Sequence, residues 1–201
     1  MTHWIFWQIL GFFGAVVYAS FFEWTLHRYI MHKNWSFFSY PFRSHAIVHH
    51  TVFKADATYH VQKETDKRIV PMAWWNAPIL WSLHIPLFLF VQYLIGAPIF
   101  WGMMAAMICY YFTYEYMHWC MHIPKNRHVE HSPIYFRLNG HHLLHHRYMH
   151  KNYNVVMPLA DLLLGTLLLR SPISFAQPIG HCIPHVQPKE KKLTKVAVGN
   201  S

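Results

Sequence analysis

The chain has 201 residues, enough for one domain, and 54% of them are hydrophobic while only 12% are charged. A soluble domain of average composition carries about twice that share of charge, so we expect an integral membrane protein. The formal net charge of +9 would indicate a nucleic-acid partner in a soluble protein, but all 17 Lys and Arg lie in two blocks, Arg28–Arg68 and Lys125–Lys195. We therefore expect no nucleic-acid partner, and the three scattered cysteines predict neither a disulfide framework nor a thiolate metal site.

The first element is an uncharged apolar run that ends at Glu23. Trp4–Phe22 is long enough to span a hydrocarbon core at about 1.5 Å of rise per residue. A secretory signal peptide is the alternative, since Val17–Ala19 resembles a small-residue cleavage site, but the positive n-region is missing. We predict a retained membrane helix that continues past Glu23 through His27 toward His32.

The next long apolar segment is Ile69–Tyr114, which contains 46 consecutive residues without a charge. This length suits two spans joined by a turn at Gly96–Pro98. Pro78 and Pro86 should kink the first of the pair, which a membrane helix tolerates. The second of the pair is expected to leave the membrane at Glu115 and to continue as a helix that carries His118 and His122.

The remaining segments predict no further span. Arg28–Arg68 has little hydrophobic periodicity and indicates short helices and loops. Val155–Leu169 is apolar but short and interrupted, which favours a helix at the membrane interface. Residues 171–201 predict a basic, flexible tail after a membrane-embedded domain formed by residues 1–170.

The predicted spans indicate which segments lie on each side of the membrane. Three spans place both basic blocks on one side of the membrane, which the positive-inside rule assigns to the cytoplasm. The clustered histidines lie on the same side. The predicted fold class is an all-α integral membrane protein with about three transmembrane helices and with cytosolic helices that carry a histidine-rich site for two metals. Multi-pass insertion is expected in a bacterial inner membrane or in the endoplasmic reticulum.

Four histidine clusters are the candidate site. They are His27-x4-His32, His45-x3-His49-His50, His118-x3-His122 and His141-His142-x2-His145-His146. On an α-helix the pair in the third cluster shares one face, His142, His145 and His146 span roughly 100°, and His49 and His50 return to a face similar to that of His45. His27 and His32 are about 140° apart on an ideal helix, so they need a distorted helix to point together.

The number of histidines indicates two metals. Ten imidazoles overfill two structural zinc sites of four ligands each, whereas two metals with about five imidazoles each leave positions open for oxygen or water. Imidazole alone does not choose among Fe, Zn, Cu and Ni. Glu23 and Glu115 precede histidines by one helical turn, and each could accept the second ring N–H of a ligand. His84, inside a predicted span, is interpreted as a packing or channel residue rather than a ligand.

The order of the clusters resembles the fatty acid hydroxylase superfamily, which includes fatty acid 2-hydroxylases, sterol desaturases and carotenoid hydroxylases. The resemblance extends from about residue 20 to 170 and is carried by Glu23–His32, Tyr114–His122 and His141–His146, followed by Lys151–Asn154 and Pro158–Thr166. It implies a cytosolic-face di-iron centre, with zinc as a possible occupant after purification, whose ligands are His27, His32, His45, His49, His50, His118, His122, His142, His145 and His146. Whether His141 or His142 is the ligand stays open.

What the resemblance implies about function is an O2-dependent lipid hydroxylase, a monooxygenase whose chemistry resides in the metal centre alone. The expected substrate is a fatty acyl chain, with sterol or carotenoid hydroxylation or desaturation as the alternative in the same superfamily. No cytochrome b5-like domain is attached, so we expect a separate electron donor, cytochrome b5-like or a ferredoxin with its reductase. A membrane metal-binding or transport protein is the alternative of another class.

Overall fold

The computed structural model describes residues 2–169, and all regular secondary structure in this part of the chain is helical, without a strand. The all-α prediction is confirmed for these residues. The predicted tail, residues 171–201, lies outside the described residues. The longer helices are α1 (Thr2–Thr25), α4 (Asn76–Ile95), α5 (Phe100–His122) and α6 (Pro133–Arg147). The shorter ones are α2 (Tyr40–Phe42), α3 (His50–Val52), α7 (Leu159–Leu163), 3₁₀-helices at Glu64–Ile69 and His128–His131, and two π-helices at Leu26–Met31 and Arg43–His49.

The bundle is built on α5, which packs against both α1 and α4. Two glycines allow α1 and α5 to approach at the level of the backbone. A Cβ added to Gly102 would lie 2.0 Å from the carbonyl oxygen of Gln8, and one added to Gly11 would lie 2.7 Å from that of Ile99. The Gln8 side chain reinforces the contact, because its Oε1 accepts a hydrogen bond from the Gly102 N–H.

The turn between α4 and α5 is where the sequence predicts it. Gly96 caps α4 in the left-handed conformation, with φ of 68°, a conformation that glycine adopts without the Cβ penalty. Pro86 lies inside α4, whereas Pro78 falls in its first turn, where a missing N–H removes no helical hydrogen bond. A kink is therefore expected at Pro86 and not at Pro78.

Two helices in the described residues are long and apolar enough to cross a membrane, Thr2–Met31 and Asn76–Ile95. The third predicted span, α5, is not among them, because its tyrosines and Glu115 lower its hydropathy. Many α5 side chains are buried in the bundle. The number of spans stays a prediction.

The segment after α6 differs from the predicted interfacial helix. Only Leu159–Leu163 is helical, and the segment is fastened to α1 by polar contacts. Ser20 Oγ donates to the Met157 carbonyl and accepts from the Ala160 N–H. The helix is shorter than predicted because Asp161 is fully buried and accepts hydrogen bonds from the backbone of the segment. Its location at a membrane interface stays a prediction.

Candidate metal centre

The first π-helix continues α1 and carries His27 and His32. Its i+5 hydrogen bond joins the His32 N–H to the His27 carbonyl at 3.0 Å. This wider turn brings residues five apart close to one face, and the two rings stack with centroids 5.0 Å apart. The distorted helix that the spacing requires is therefore present, and so is the predicted continuation of the first helix.

The second π-helix divides the second cluster. Its final i+5 bond runs from the His50 N–H to the His45 carbonyl, and the Nε2 atoms of these two residues lie 3.2 Å apart. The Nε2 of His49 has a different neighbour, since it lies 3.3 Å from His146 Nε2. The three rings nevertheless lie together, as the spacing predicts, since the rings of His45 and His49 stack with centroids 5.1 Å apart.

Helices α5 and α6 supply the remaining histidines. The rings of His118 and His122 are 4.8 Å apart between centroids, as the i+4 spacing predicts. On α6, His142 and His146 have Nε2 atoms 3.1 Å apart. The Nε2 of His145, on the same helix, lies instead 3.1 Å from His32 Nε2. One helix thus contributes to two different clusters of rings.

The ten predicted histidines form two groups of five. In each group the candidate ligand nitrogens all lie within 4.8 Å of one another. We call the group of His27, His32, His45, His50 and His145 the first group, and that of His49, His118, His122, His142 and His146 the second group. The groups are adjacent, since the ring centroids of His50 and His146 are 4.3 Å apart. Whether these nitrogens bind metal stays a prediction, but the division into five and five matches the predicted site for two metals.

Backbone carbonyls orient the rings. An imidazole Nδ1 that faces a carbonyl must carry the proton, which leaves a lone pair on Nε2. Four rings make this contact at distances of 2.5 to 2.8 Å, His27 to Tyr153, His122 to Tyr59, His145 to Lys151 and His146 to Phe53. A fifth, His118, bonds to the backbone of Val70. Hydrogen bonding by the outer ring nitrogen is how proteins fix the orientation of a histidine that binds metal.

The inward nitrogens of the second group fit a cation. His142 Nε2 lies 3.2 Å from His122 Nε2 and 3.1 Å from His146 Nε2, and a single proton on it could bond only one of them. His118 Nε2 is buried without a hydrogen-bond partner. At a metal–nitrogen distance of about 2.0–2.1 Å, two ligands at right angles are about 2.9 Å apart. Without a metal, the lone pairs of these Nε2 atoms would point at one another. A metal ion bound between them would accept those lone pairs.

Burial favours the neutral form of the rings, which is the form that ligation requires. Burial lowers the pKa of His145 to about 4. Burial and the neighbouring His145 lower the pKa of His32 to about 3. Burial also places the pKa values of His142 and His146 well below the usual range. Protonated imidazoles at such short separations would repel one another, and neutral rings avoid this cost.

His141 belongs to neither group. Its Nε2 lies 3.1 Å from Asp161 Oδ2, so this buried ring is already paired with a carboxylate. His142 occupies the position in the second group that the sequence left open between the two residues. His84 is also outside both groups and contacts Tyr18 Oη and the Leu80 carbonyl inside the bundle, in agreement with a packing role.

The two predicted acidic residues have other partners. Glu23 accepts hydrogen bonds from Tyr110 Oη at 2.7 Å and from the Val155 N–H at 2.6 Å. Glu115 accepts from the Met72 N–H. Their hydrogen bonds therefore fasten loops to the bundle rather than orient a ring, which corrects the prediction from helical spacing. The carbonyls that do orient the rings gave no sequence signal, because every residue type carries one.

An apolar cavity of about 780 Å³ lies against the histidines. His45 of the first group lines it, as do His49 and His118 of the second. Most of the other lining residues are aliphatic or aromatic, contributed by the first π-helix, the start of α4 and the segment between them. This volume falls in the range of small-molecule sites. Both groups of histidines are therefore open to a ligand in one cavity.

In comparisons with protein-family models, with curated proteins and with solved structures, no match to the chain was found. The histidine groups and the cavity beside them are the observations on which a function can be founded.

Proposed function

We propose that this protein is a membrane-bound non-haem di-iron oxygenase that inserts oxygen into a C–H bond of a lipid, with a fatty acyl chain as substrate. The observation that carries the proposal is the apolar cavity lined by histidines of both groups. A site that only stores or transports metal has no need for an apolar chamber beside its ligands. The resemblance of the histidine clusters to the fatty acid hydroxylase superfamily supports the same reaction class.

Iron bound in the two groups would supply the activation of O2 and of the C–H bond. The hydroxylation balances when one oxygen atom enters the lipid and the other leaves as water, and this consumes a pair of electrons and a pair of protons. The electrons come from a separate donor, cytochrome b5-like or a ferredoxin with its reductase. The five histidines of each group would hold one metal ion and leave a position for oxygen or water.

The protein itself would position the histidine rings and the substrate and would exclude water from the site. The carbonyls of Tyr153, Lys151, Tyr59 and Phe53 fix the rings before any substrate enters, which avoids reorganisation during the reaction. The aliphatic walls hold an alkyl chain against His45, His49 and His118. They also exclude water, which protects a reactive centre from side reactions.

Membrane insertion completes the proposal. We place α1, α4 and the apolar part of α5 in the bilayer, with the histidine groups at its cytoplasmic face. Ile79 and Leu83 of α4 line the cavity and are 49% and 63% exposed, which suits lateral entry of a lipid. An extended acyl chain fits this route better than the fused rings of a sterol, and carotenoids are the remaining alternative of the superfamily.

The test is comparative lipid mass spectrometry on cells that express wild type, His142→Ala or His131→Ala, supplied with iron, O2 and a competent electron donor. His131 is exposed and lies outside both groups, so it is the matched control. We expect a lipid heavier by one oxygen atom in wild type and in the control, and none in His142→Ala. A loss of two hydrogens would assign desaturation instead. Unchanged lipids in all strains would refute the oxygenase and favour a metal-binding or transport protein.

A further inference from the structure

The cavity has one charged residue other than histidine. Arg68 lines it, whereas no Asp, Glu or Lys does so among the described residues. Arg68 belongs to the 3₁₀-helix Glu64–Ile69 and is exposed. It is two residues before Val70, whose backbone bonds to the His118 ring. A guanidinium is therefore present at the solvent-facing part of a cavity that also reaches the histidines.

The Arg68 guanidinium is free to bind a ligand. Within residues 2–169 it has no hydrogen bond, ion pair or ring contact. Its neighbour Lys67 differs, because the Lys67 Nζ pairs with Glu64 Oε2 at 2.5 Å. The acids of the same 3₁₀-helix, Glu64 and Asp66, form no ion pair with Arg68. Its planar fork matches a carboxylate or a phosphate through two parallel hydrogen bonds.

The opposite part of the cavity is apolar and extends into the bundle. Phe22, Leu26 and Leu80 line both this cavity and a smaller one of about 50 Å³ between α1, α4 and α5. The smaller cavity reaches Ala19 and Met107, which are buried in the bundle core. The two spaces share these apolar walls. Arg68 is the only Lys or Arg of the described residues that lines either space, and Glu23 lines the smaller one.

We propose that Arg68 binds the oxyanion of a lipid head group, a carboxylate or a phosphate, while the alkyl chain lies in the cavity against the histidines. This inference deepens the proposed function and rests on it only in treating the bound lipid as the substrate. A cation in the interfacial region favours an anionic head group, and a buried alkyl chain favours the apolar wall. Sterols and carotenoids carry no such anion and are excluded as preferred ligands.

The experiment measures binding without turnover. Dibrominated stearic acid should quench the fluorescence of Trp75, which lines the cavity, in purified full-length protein in an uncharged maltoside detergent. Stearic acid, methyl stearate and octadecyl phosphate are then compared as competitors. We expect the acid or the phosphate to compete at least about tenfold better than the ester, since a charge-assisted pair is lost with the ester. The better of the two anions identifies the oxyanion.

Variants locate the effect. Arg68→Gln should remove the preference for the anion over the ester, Arg68→Lys should retain part of it, and Lys67→Gln should leave it unchanged because that ammonium lies outside the cavity lining. Trp75→Phe should remove the quenched component. Equal competition by acid and ester in wild type would overturn the proposal, as would an equal loss in Arg68→Gln and Lys67→Gln. Because no turnover is measured, anion-selective binding without a lipid product would count against the oxygenase alone.

Discussion

At the scale of single residues, His118 and His145 are the most informative positions, because each belongs to a different group. The metal-bound protein should hold two ions per chain, one in each group. We expect His118→Ala and His145→Ala each to lower the content to about one ion, since each leaves the other group intact. Metal analysis of purified protein after a chelator wash makes the measurement, with iron or zinc as the bound ion.

His131→Ala is the control for this prediction, because that exposed residue lies outside both groups. It should retain the full content of metal. If all three substitutions remove the same amount, the losses report general destabilisation and the division into two groups has no support.

The same residues show what the sequence can predict. The ten candidate ligands are recognisable because repeated histidine pairs at helical spacing are rare in an apolar chain. The assignment of His45 and His49, and of His142 and His145, to different groups was not predictable, because it depends on contacts with histidines from other elements. A π-helix costs hydrogen-bond geometry relative to an α-helix, so tertiary contacts and not local propensity select it.

At the scale of elements, the segment around Asp161 supports the first group. Asp161 Oδ1 accepts the Tyr153 N–H at 2.9 Å, and the Tyr153 carbonyl orients His27. In Asp161→Asn the amide NH2 replaces one carboxylate oxygen and cannot accept a hydrogen bond from a backbone N–H. The segment that carries Tyr153 would therefore shift. We expect the metal affinity of the first group to fall about 10–100 fold, while the second group keeps its metal, measured by chelator titration.

Asp66→Asn is the matched control, since Asp66 lies in an exposed 3₁₀-helix outside both groups. It should leave both affinities unchanged. An equal loss from both groups in Asp161→Asn would contradict a selective role for the segment.

The contact of α1 with α5 makes a second prediction at this scale. Gly102→Ala places a Cβ about 2.0 Å from the Gln8 carbonyl oxygen, which forces the helices apart. We expect a loss of about 1–3 kcal/mol of stability, measured as a lower Tm in detergent. Gly14→Ala, on α1 with open space around its Cβ, should be neutral or slightly stabilising. Equal Tm values for the two variants would show that the helices do not meet as described.

At the scale of the whole molecule, charge asymmetry predicts the topology. Every Lys and Arg falls in the two blocks that flank the apolar segments, so both blocks should be cytoplasmic. In a cysteine-free background, cysteines at Ala55 and His150 should be shielded from an impermeant thiol reagent in intact cells, and one at Thr2 should be labelled. Labelling at position 150 from outside would place the histidine groups on the wrong face.

The overall architecture was largely predictable, and for a physical reason. Charge-free runs and the glycine turn at Gly96 define helices through local chemistry alone. The packing order of those helices and the cavity between them were not predictable, because they depend on close contacts such as that of Gly102 with Gln8. The roles of Glu23 and Glu115 were missed for the same reason, since their partners are distant in sequence.

Main-chain carbonyls, and not side chains, orient four of the histidine rings. Phe53, Tyr59, Lys151 and Tyr153 orient histidines through main-chain oxygen, which any amino acid supplies. Alanine scanning there would report the packing of the side chains, since Phe53, Tyr59 and Tyr153 are buried, and would not reveal that the path of the backbone determines where each Nε2 points. A chain with other residues at these sites would keep the arrangement of imidazoles only if the buried side chains still filled the same space, whereas a one-residue deletion in residues 53–59 or 148–153 would move the carbonyls and destroy it. The positions of the ligand nitrogens therefore depend on the length and path of these loops more than on which side chains the loops carry.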